Sequence, residues 1–229
     1  NLIWVFRCVT ESLPAEKRSR IKKRRGLPIN IDGIKMVFSR PFLGRAVIAN
    51  FYIILAFSGL EFTYAFFAQD VFTLDMSEVG LLFVFMGFMG ALVQGGFIRR
   101  VGHRYQDSSL AFVGLLMQML AFVLLAASPN FGFGSLLFAS AILAMGNGLT
   151  QPSLSGFVSR RVEENQQGVA LGTHQSFSSL ARVFGPGLAG FLYQLLGVTA
   201  PFVAGAFINF LGILLVFSLK LLKFKILAQ

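Results

Sequence analysis

Six long apolar runs constrain this chain more than any other feature of its sequence. A helix of about 20 apolar residues is long enough to cross the hydrocarbon core of a bilayer. Only 13% of the 229 residues are charged, which is too few to solvate a globular surface of this size. The sequence therefore predicts an all-α membrane protein with six transmembrane helices. The predicted spans are residues 46–69, 79–98, 110–128, 131–159, 168–197 and 198–219.

The basic residues predict the orientation of these spans. Nineteen of the 20 Lys and Arg residues lie before residue 46, in the loops 99–107 and 160–167, or after residue 219. The loops on the other side contain none, and the twentieth basic residue, Arg182, lies inside a span. Because cytoplasmic loops carry the excess of Lys and Arg, both ends of the bundle are predicted to be cytoplasmic. The expected location is a cell membrane, inner or plasma.

The segments outside the spans are predicted to interact with the membrane. We expect the apolar residues 1–9 to be the end of an upstream transmembrane helix, so that the chain is a fragment. Residues 10–45 read as a basic cytoplasmic linker that is attracted to anionic membrane lipids rather than to nucleic acid. The linker is expected to contain a short surface helix at 28–39, which stops before a proline. Residues 220–229 form a basic cytoplasmic tail.

The loop after the second span resembles a known signature. Its sequence GGFIRRVGHR is similar to the G-x-x-x-D-R-x-G-R-R/K loop of the major facilitator superfamily. Arg99 replaces the acidic residue of that pattern and His103 replaces a basic one. The stretches SGLEFT, VQGGFIRR and SLARVFGPGLAG resemble the drug:proton antiporter branch, and most of all tetracycline-transporter-like proteins. The positions that match the loop signature are Gly95, Arg100, Gly102 and Arg104.

The resemblance implies an architecture and a function. The six spans would be helices seven to twelve, the C-terminal bundle of a twelve-helix transporter with inverted 3+3 repeats. This bundle would work together with an N-terminal six-helix half. The branch implies proton-coupled efflux of lipophilic drugs, tetracycline-like or multidrug, by alternating access. The loop that contains Gly95, Arg99, Arg100, Gly102 and Arg104 would gate transport by charge contacts with neighbouring helix ends.

Two charges inside the spans form the predicted proton-coupling site. An ionised side chain at that depth costs about 2.5–3.5 kcal/mol or more, so it marks a functional site by default. At 1.5 Å per residue, Glu61 and Arg182 lie about 24 and 21 Å from the cytoplasmic ends of their helices. Helices seven and eleven are neighbours in the fold that the chain resembles. We expect the two charges to face one another or a shared polar cavity; the alternative is a static ion pair.

The substrate cavity is predicted between the first and fourth spans, since helices seven and ten line the cavity in the family. Asn147 and Gln151 are four residues apart, so a regular helix presents them on one face. Polar contact between helices is the alternative for both residues, and Gln94 on the second span is a weaker candidate. The predicted cavity residues are Asn50, Phe57, Tyr64, Asn147 and Gln151.

An enzyme is disfavoured by the absence of catalytic patterns. The sequence contains no metal-ligand spacing, phosphate loop or dinucleotide fingerprint, so we expect no metal, no cofactor and no catalytic residue. Ser155 and His174 could in principle serve an intramembrane serine protease, but the G-x-S-G turn is absent. The chief rival is a major facilitator transporter of another small solute, such as a sugar or a metabolite. A non-transporting membrane scaffold is a more remote alternative.

Overall fold

Residues 31–102 and 104–227 are described by the computed structural model, and their regular secondary structure is helical throughout. The predicted upstream helix end, most of the basic linker and His103 lie outside these residues. A π-helical turn, Val93–Phe97, joins α3 to α4. The helices are α1 Ile31–Ser39, α2 Pro41–Phe72, α3 Met76–Leu92, α4 Ile98–Val101, α5 Asp107–Ala127, α6 Phe133–Ser159, α7 Gln167–Leu196 and α8 Ala200–Leu227.

Five helical segments in the described chain are long and apolar enough to cross a membrane. They are Pro41–Phe72, Met76–Val101, Asp107–Asn130, Phe133–Ser159 and Ala200–Leu219. Helix α7 lies at the position of the remaining predicted span and has 30 residues. It is less apolar because it carries Arg182, His174 and several Ser and Gln residues. The sixth span, the 3+3 arrangement and the cytoplasmic position of both ends therefore stay predictions.

The first long helix begins earlier than predicted. Helix α2 starts at Pro41, where the fixed φ of proline suits the first helical position. Arg40 before it is extended, with φ −102° and ψ 105°, as expected for a residue that precedes proline. Residues 41–45 of the predicted linker are therefore part of a helix. Arg45 lies inside α2, where its Nη1 donates a hydrogen bond of 3.2 Å to Ser218 Oγ on α8.

Helix α1 packs against the end of the bundle. Its Val37 is fully buried among apolar side chains of α2, α6, α7 and α8. The predicted surface helix is therefore anchored by burial on one side. Its partners in this cluster are Leu43, Ala46, Val47, Phe157, Val158, Ala170 and Leu219.

Glycine allows α5 and α6 to approach backbone to backbone. A Cβ atom on Gly114 would lie 2.8 Å from the carbonyl oxygen of Gly146, and a Cβ on Gly146 would lie 2.8 Å from that of Gly114. Beside this crossing, Gln118 Nε2 donates a 3.0 Å hydrogen bond to Thr150 Oγ1. Small residues with a buried interhelical hydrogen bond are the usual means of helix association in lipid.

Helices α2 and α7 are neighbours and run parallel. Asn50 Nδ2 donates to Ser178 Oγ at 2.7 Å near the start of the pair. Tyr193 Oη donates to Asp70 Oδ2 at 2.6 Å near its end. Between these two contacts, a Cβ on Gly185 would lie 2.7 Å from the carbonyl oxygen of Leu55. The adjacency is the one that the resemblance implied for helices seven and eleven.

Replacement of Gly185 by Ala is expected to destabilise the bundle. The added methyl group would force α2 and α7 apart, and overpacking of this kind costs about 1–3 kcal/mol. Gly187→Ala is the matched control, because a Cβ at Gly187 meets no atom within 4 Å. Thermal unfolding of the purified protein in detergent should give a lower midpoint for Gly185→Ala alone. Equal midpoints for the two variants would show that the close approach is not needed.

Candidate functional site

A cleft of about 330 Å³ lies between α2, α3 and α6. Its apolar wall includes the rings of Phe57 and Phe83 and the side chain of Met86. Three polar side chains also line it, one on each helical segment: Glu61 on α2, Gln94 in the π-helical turn and Asn147 on α6. A mostly apolar lining with a few convergent polar groups is typical of sites for small molecules.

Close packing of α3 against α6 forms the back of this cleft. A Cβ on Gly148 would lie 3.0 Å from the carbonyl oxygen of Gly90 and 3.5 Å from Val93 Cβ. Gly87 and Gly90 line the cleft without filling it. The large side chains Phe83 and Met86 lie on the same helix. The cleft therefore owes its depth to small residues that hold two helices together and leave space in front of them.

Glu61 faces the cleft as an exposed carboxylate. It follows Phe57 and Leu60 on α2, which place all three residues on the cleft side of that helix. The sequence predicted a buried side chain for Glu61, but the side chain is exposed in the described structure. Glu61 makes no ion pair or hydrogen bond with any residue that the structure describes.

The expected pairing of Glu61 with Arg182 is not formed. Arg182 is exposed on α7 and is not among the residues that line the cleft. It follows Ala181, whose carbonyl oxygen accepts a 3.4 Å hydrogen bond from Ser58 Oγ. Similar predicted depths in the membrane therefore do not imply that two side chains face one another.

An ion pair does form at another place. Arg160 Nη2 lies 2.6 Å from Asp107 Oδ1 and joins the end of α6 to the start of α5. Both partners lie in predicted cytoplasmic loops. The contact therefore ties helix ends together outside the cleft.

Two of the predicted cavity residues belong to helix packing instead. Asn50 is fully buried against α7 through its bond to Ser178. Tyr64 is fully buried, and its hydroxyl lies 2.5 Å from Ser140 Oγ on α6. Both residues lie in a span that was predicted to line the cavity, but the sequence does not show which face of that helix does so. Neither side chain lines the cleft, and their role in substrate binding stays a prediction.

Phe57 and Asn147 line the cleft, and Gln151 lies beyond its lining. Asn147 Oδ1 is buried without a hydrogen-bond partner in the described chain, and so is Gln151 Nε2. A buried polar atom without a partner is costly. Because Asn147 also lines the cleft, we expect its amide to be a contact for a ligand. Their role in substrate binding stays a prediction.

The arginines of the signature loop are all exposed. Arg99 and Arg100 lie on α4, and Arg104 follows it. Gly95 lies in the π-helical turn and Gly102 ends α4. Within the described residues, none of these three arginines forms an ion pair. Gating by this loop stays a prediction.

The π-helical turn changes the register of the second span. Ile98 N–H donates to the carbonyl of Val93, five residues back. Val93 is buried between α5 and α6, and Ile98 and Val101 pack against the same cluster. In a regular helix, the positions four and seven after Val93 would be Phe97 and Arg100, which are exposed. The extra residue therefore keeps Arg100 out of the helix interface.

Gln94, a weaker candidate from the sequence, lines the cleft. Gln94 follows Gly87 and Gly90 by seven and four residues, which is the spacing of one helical face. That spacing was the available signal. The sequence alone does not show which face of this helix lines the cleft and which face is buried against its neighbours.

Comparison with known proteins identifies the family. A family model described as Major Facilitator Superfamily matches residues 104–224, which is just over half of the chain. The chain belongs to the major facilitator superfamily. Members of this superfamily are transporters rather than enzymes, and the chain is accordingly a multi-pass membrane protein of a transporter family.

Curated relatives of this superfamily member include mammalian and bacterial proteins. The chain is 31% identical over 183 residues to major facilitator superfamily domain-containing protein 10 of Mus musculus, covering 78% of this chain and 38% of the relative. It is 24% identical over 207 residues to multidrug resistance protein 2 of Bacillus subtilis, covering 89% of this chain and 50% of the relative. It is 28% identical over 128 residues to the class D tetracycline resistance protein of Salmonella ordonez, covering 56% and 32%.

A solved structure supports the fold. The crystal structure of the human organic anion transporter MFSD10 (TETRAN) matches with a TM-score of 0.71 and 27% identity, covering 75% of this chain and 40% of that chain. The chain thus spans between about a third and a half of the length of the proteins it matches.

Single-residue deletions test whether the π-helical turn sets the register of the second span. Deletion of Gly96 would place Ile98 four residues after Val93, so a regular helix could keep both side chains in the core. Deletion of Gly90 would instead rotate the helix by about 100° between Met86 and Val93 and break the contact with Gly148. We expect the Gly96 deletion to fold with a thermal midpoint near that of the parent, and the Gly90 deletion to lose folded yield in size-exclusion profiles. Loss of folding in both would contradict this account of the turn.

Proposed function

We propose that this chain forms the C-terminal half of a secondary transporter that exports lipophilic drugs in exchange for protons. The observation that carries the proposal is the carboxylate of Glu61 on the wall of an apolar, partly aromatic cleft. Substrate and protons would be its transported partners, and alternating access its mechanism. Arg182 makes no ion pair with Glu61 among the described residues, so the proposed exchange step rests on Glu61 alone.

The chemistry of an unpaired carboxylate in this setting favours exchange. An ionised side chain inside a membrane protein is costly unless it is paired or in contact with water. Glu61 makes no ion pair with another described residue. It can bind a proton or the positive charge of a substrate, but not both at once. Competition for one carboxylate couples export of the substrate to uptake of the proton.

The relatives and the charge distribution support the wider setting. Two of the relatives are called a multidrug resistance protein and a tetracycline resistance protein. Each is at least twice as long as the aligned part of this chain, which fits a partner half of six further helices. The basic loops favour cytoplasmic ends in an inner or plasma membrane, with the basic linker and tail against anionic lipids.

A second candidate is transport of an organic anion, since the solved neighbour is described as a human organic anion transporter. Among the charged side chains of the described residues, only a carboxylate lines the cleft. A carboxylate repels an anion unless it is protonated. The cleft therefore favours cationic or neutral solutes. A polar sugar or metabolite fits less well, since most of the lining is apolar.

Glu61→Gln in the complete transporter tests the proposal. The amide keeps the size of the side chain but cannot exchange a proton. In proteoliposomes, we expect uptake driven by a pH gradient to fall at least tenfold. Counterflow without a gradient should persist at a substrate concentration high enough to offset the weaker binding. Glu163→Gln is the matched control, because Glu163 is exposed in the loop before α7. It should leave both rates unchanged.

A panel of lipophilic cations, organic anions and sugars in the same vesicles compares the candidate substrates. Export of lipophilic cations alone supports the proposal. Full pH-driven transport by Glu61→Gln would refute the coupling role. Transport of anions or sugars without any response to lipophilic cations would refute the substrate class.

A further inference from the structure

Gln94 and Asn147 are sequence neighbours of residues that form the contact between α3 and α6. The contact joins Gly148 to Gly90 and Val93, where an added Cβ would lie 3.0 Å from the Gly90 oxygen and 3.5 Å from Val93 Cβ. Asn147 precedes Gly148 and Gln94 follows Val93 in the chain. Both side chains line the cleft. The packing of α3 on α6 therefore places both amide groups on the wall of one cleft.

Both amides have capacity for a ligand. Asn147 Oδ1 is buried and has no hydrogen-bond partner in the described part of the chain. Gln94 is exposed in the cleft and makes no hydrogen bond to another described side chain. Each amide offers two N–H donors and a carbonyl acceptor. Together they can bind a polar group that presents a donor and an acceptor side by side.

The π-helical turn supports a functional reading of Gln94. Gln94 lies within the turn, and single π-helical turns inside α-helices occur frequently at functional sites. The glycines that follow, Gly95 and Gly96, meet no atom within 4 Å of an added Cβ. Packing therefore does not require glycine there. Their weak helix propensity makes it easier for the backbone to depart from α-helical geometry beside the cleft.

We propose that Gln94 and Asn147 form a hydrogen-bonding subsite that selects substrates by their polar edge, with Gln94 as the specificity-determining residue. The inference rests on the proposed function, because it concerns the same cleft. Glu61 recognises the positive charge of the solute, and Phe57 and Phe83 contact its apolar body. The substrate class is thus an amphiphilic cation with adjacent hydrogen-bond donor and acceptor groups.

The two amides discriminate through the cost of leaving them without partners. A solute that lacks hydrogen-bonding groups displaces water from both amides and restores none of the lost bonds. Such a site rejects an analogue without the polar group more strongly than an apolar pocket rejects an extra methylene. A cation with no hydrogen-bonding group therefore binds through charge and apolar contact alone.

Equilibrium binding of two radiolabelled probes to the complete protein in detergent tests this subsite. Tetracycline carries a basic amine and several adjacent donors and acceptors, whereas tetraphenylphosphonium is a lipophilic cation without any. Gln94→Leu keeps the approximate size of the side chain and removes its hydrogen bonds. We expect tetracycline to bind about five- to tenfold more weakly to this variant, and tetraphenylphosphonium to bind within twofold of the parent.

The control variants separate this inference from the proposed function. Gln106→Leu, at an exposed position outside the cleft, should change neither affinity, and Glu61→Gln should weaken both probes. Retained tetraphenylphosphonium binding also shows that Gln94→Leu is folded. Weakening of both probes alike by Gln94→Leu, or of neither while Glu61→Gln weakens both, would overturn the subsite and leave the proposed function standing. Binding of neither probe by the parent protein would overturn both proposals.

Discussion

Close approach of helix backbones through glycine is the interaction on which the rest of this structure depends. Lipid gives apolar helices no hydrophobic reason to associate, so packing and interhelical hydrogen bonds must hold them. The contacts at Gly146, Gly185 and Gly148 each bring two helices together where a methyl group would be too close. The last of these joins α3 to α6 and leaves the space in front of them open as a cleft. The site is thus a direct consequence of how the bundle is packed.

Polar side chains in the bundle fall into two groups: those that bond to another helix and those that line the cleft. Asn50 and Tyr64 make hydrogen bonds to other helices and are fully buried. Glu61 and Asn147 line the cleft, and the Glu61 carboxylate and the Asn147 carbonyl have no partner among the described residues. The first group stabilises the helix arrangement, whereas the second lines the cleft in which we propose that substrate binds. An inventory of polar residues in a span does not separate the two groups; the direction of each side chain does.

The positions of the helices could be predicted from the sequence, whereas the direction of their side chains could not. Apolar runs and basic loops predicted the helix positions, because bilayer thickness and charge placement act on the sequence directly. The start of α2 at Pro41 was not predicted, because the basic residues before position 46 indicated a linker rather than the first turns of a long helix. The Glu61–Arg182 pairing failed because two equal depths do not imply two facing side chains. The π-helical turn could not be predicted from the sequence. The extra residue becomes apparent only because Val93 and Ile98, five residues apart, pack against the same cluster.

Proton exchange at Glu61 requires that this side chain face a cleft open to water rather than lipid or another helix. The most direct test is the reaction of an engineered cysteine with a membrane-impermeant, positively charged thiol reagent, in the complete protein with Cys8 replaced by Ser. Glu61→Cys should react rapidly, and substrate at a saturating concentration should slow the reaction. Thr63→Cys, at a position only 1% exposed, should not react. An unreactive Glu61→Cys in folded protein would contradict the account.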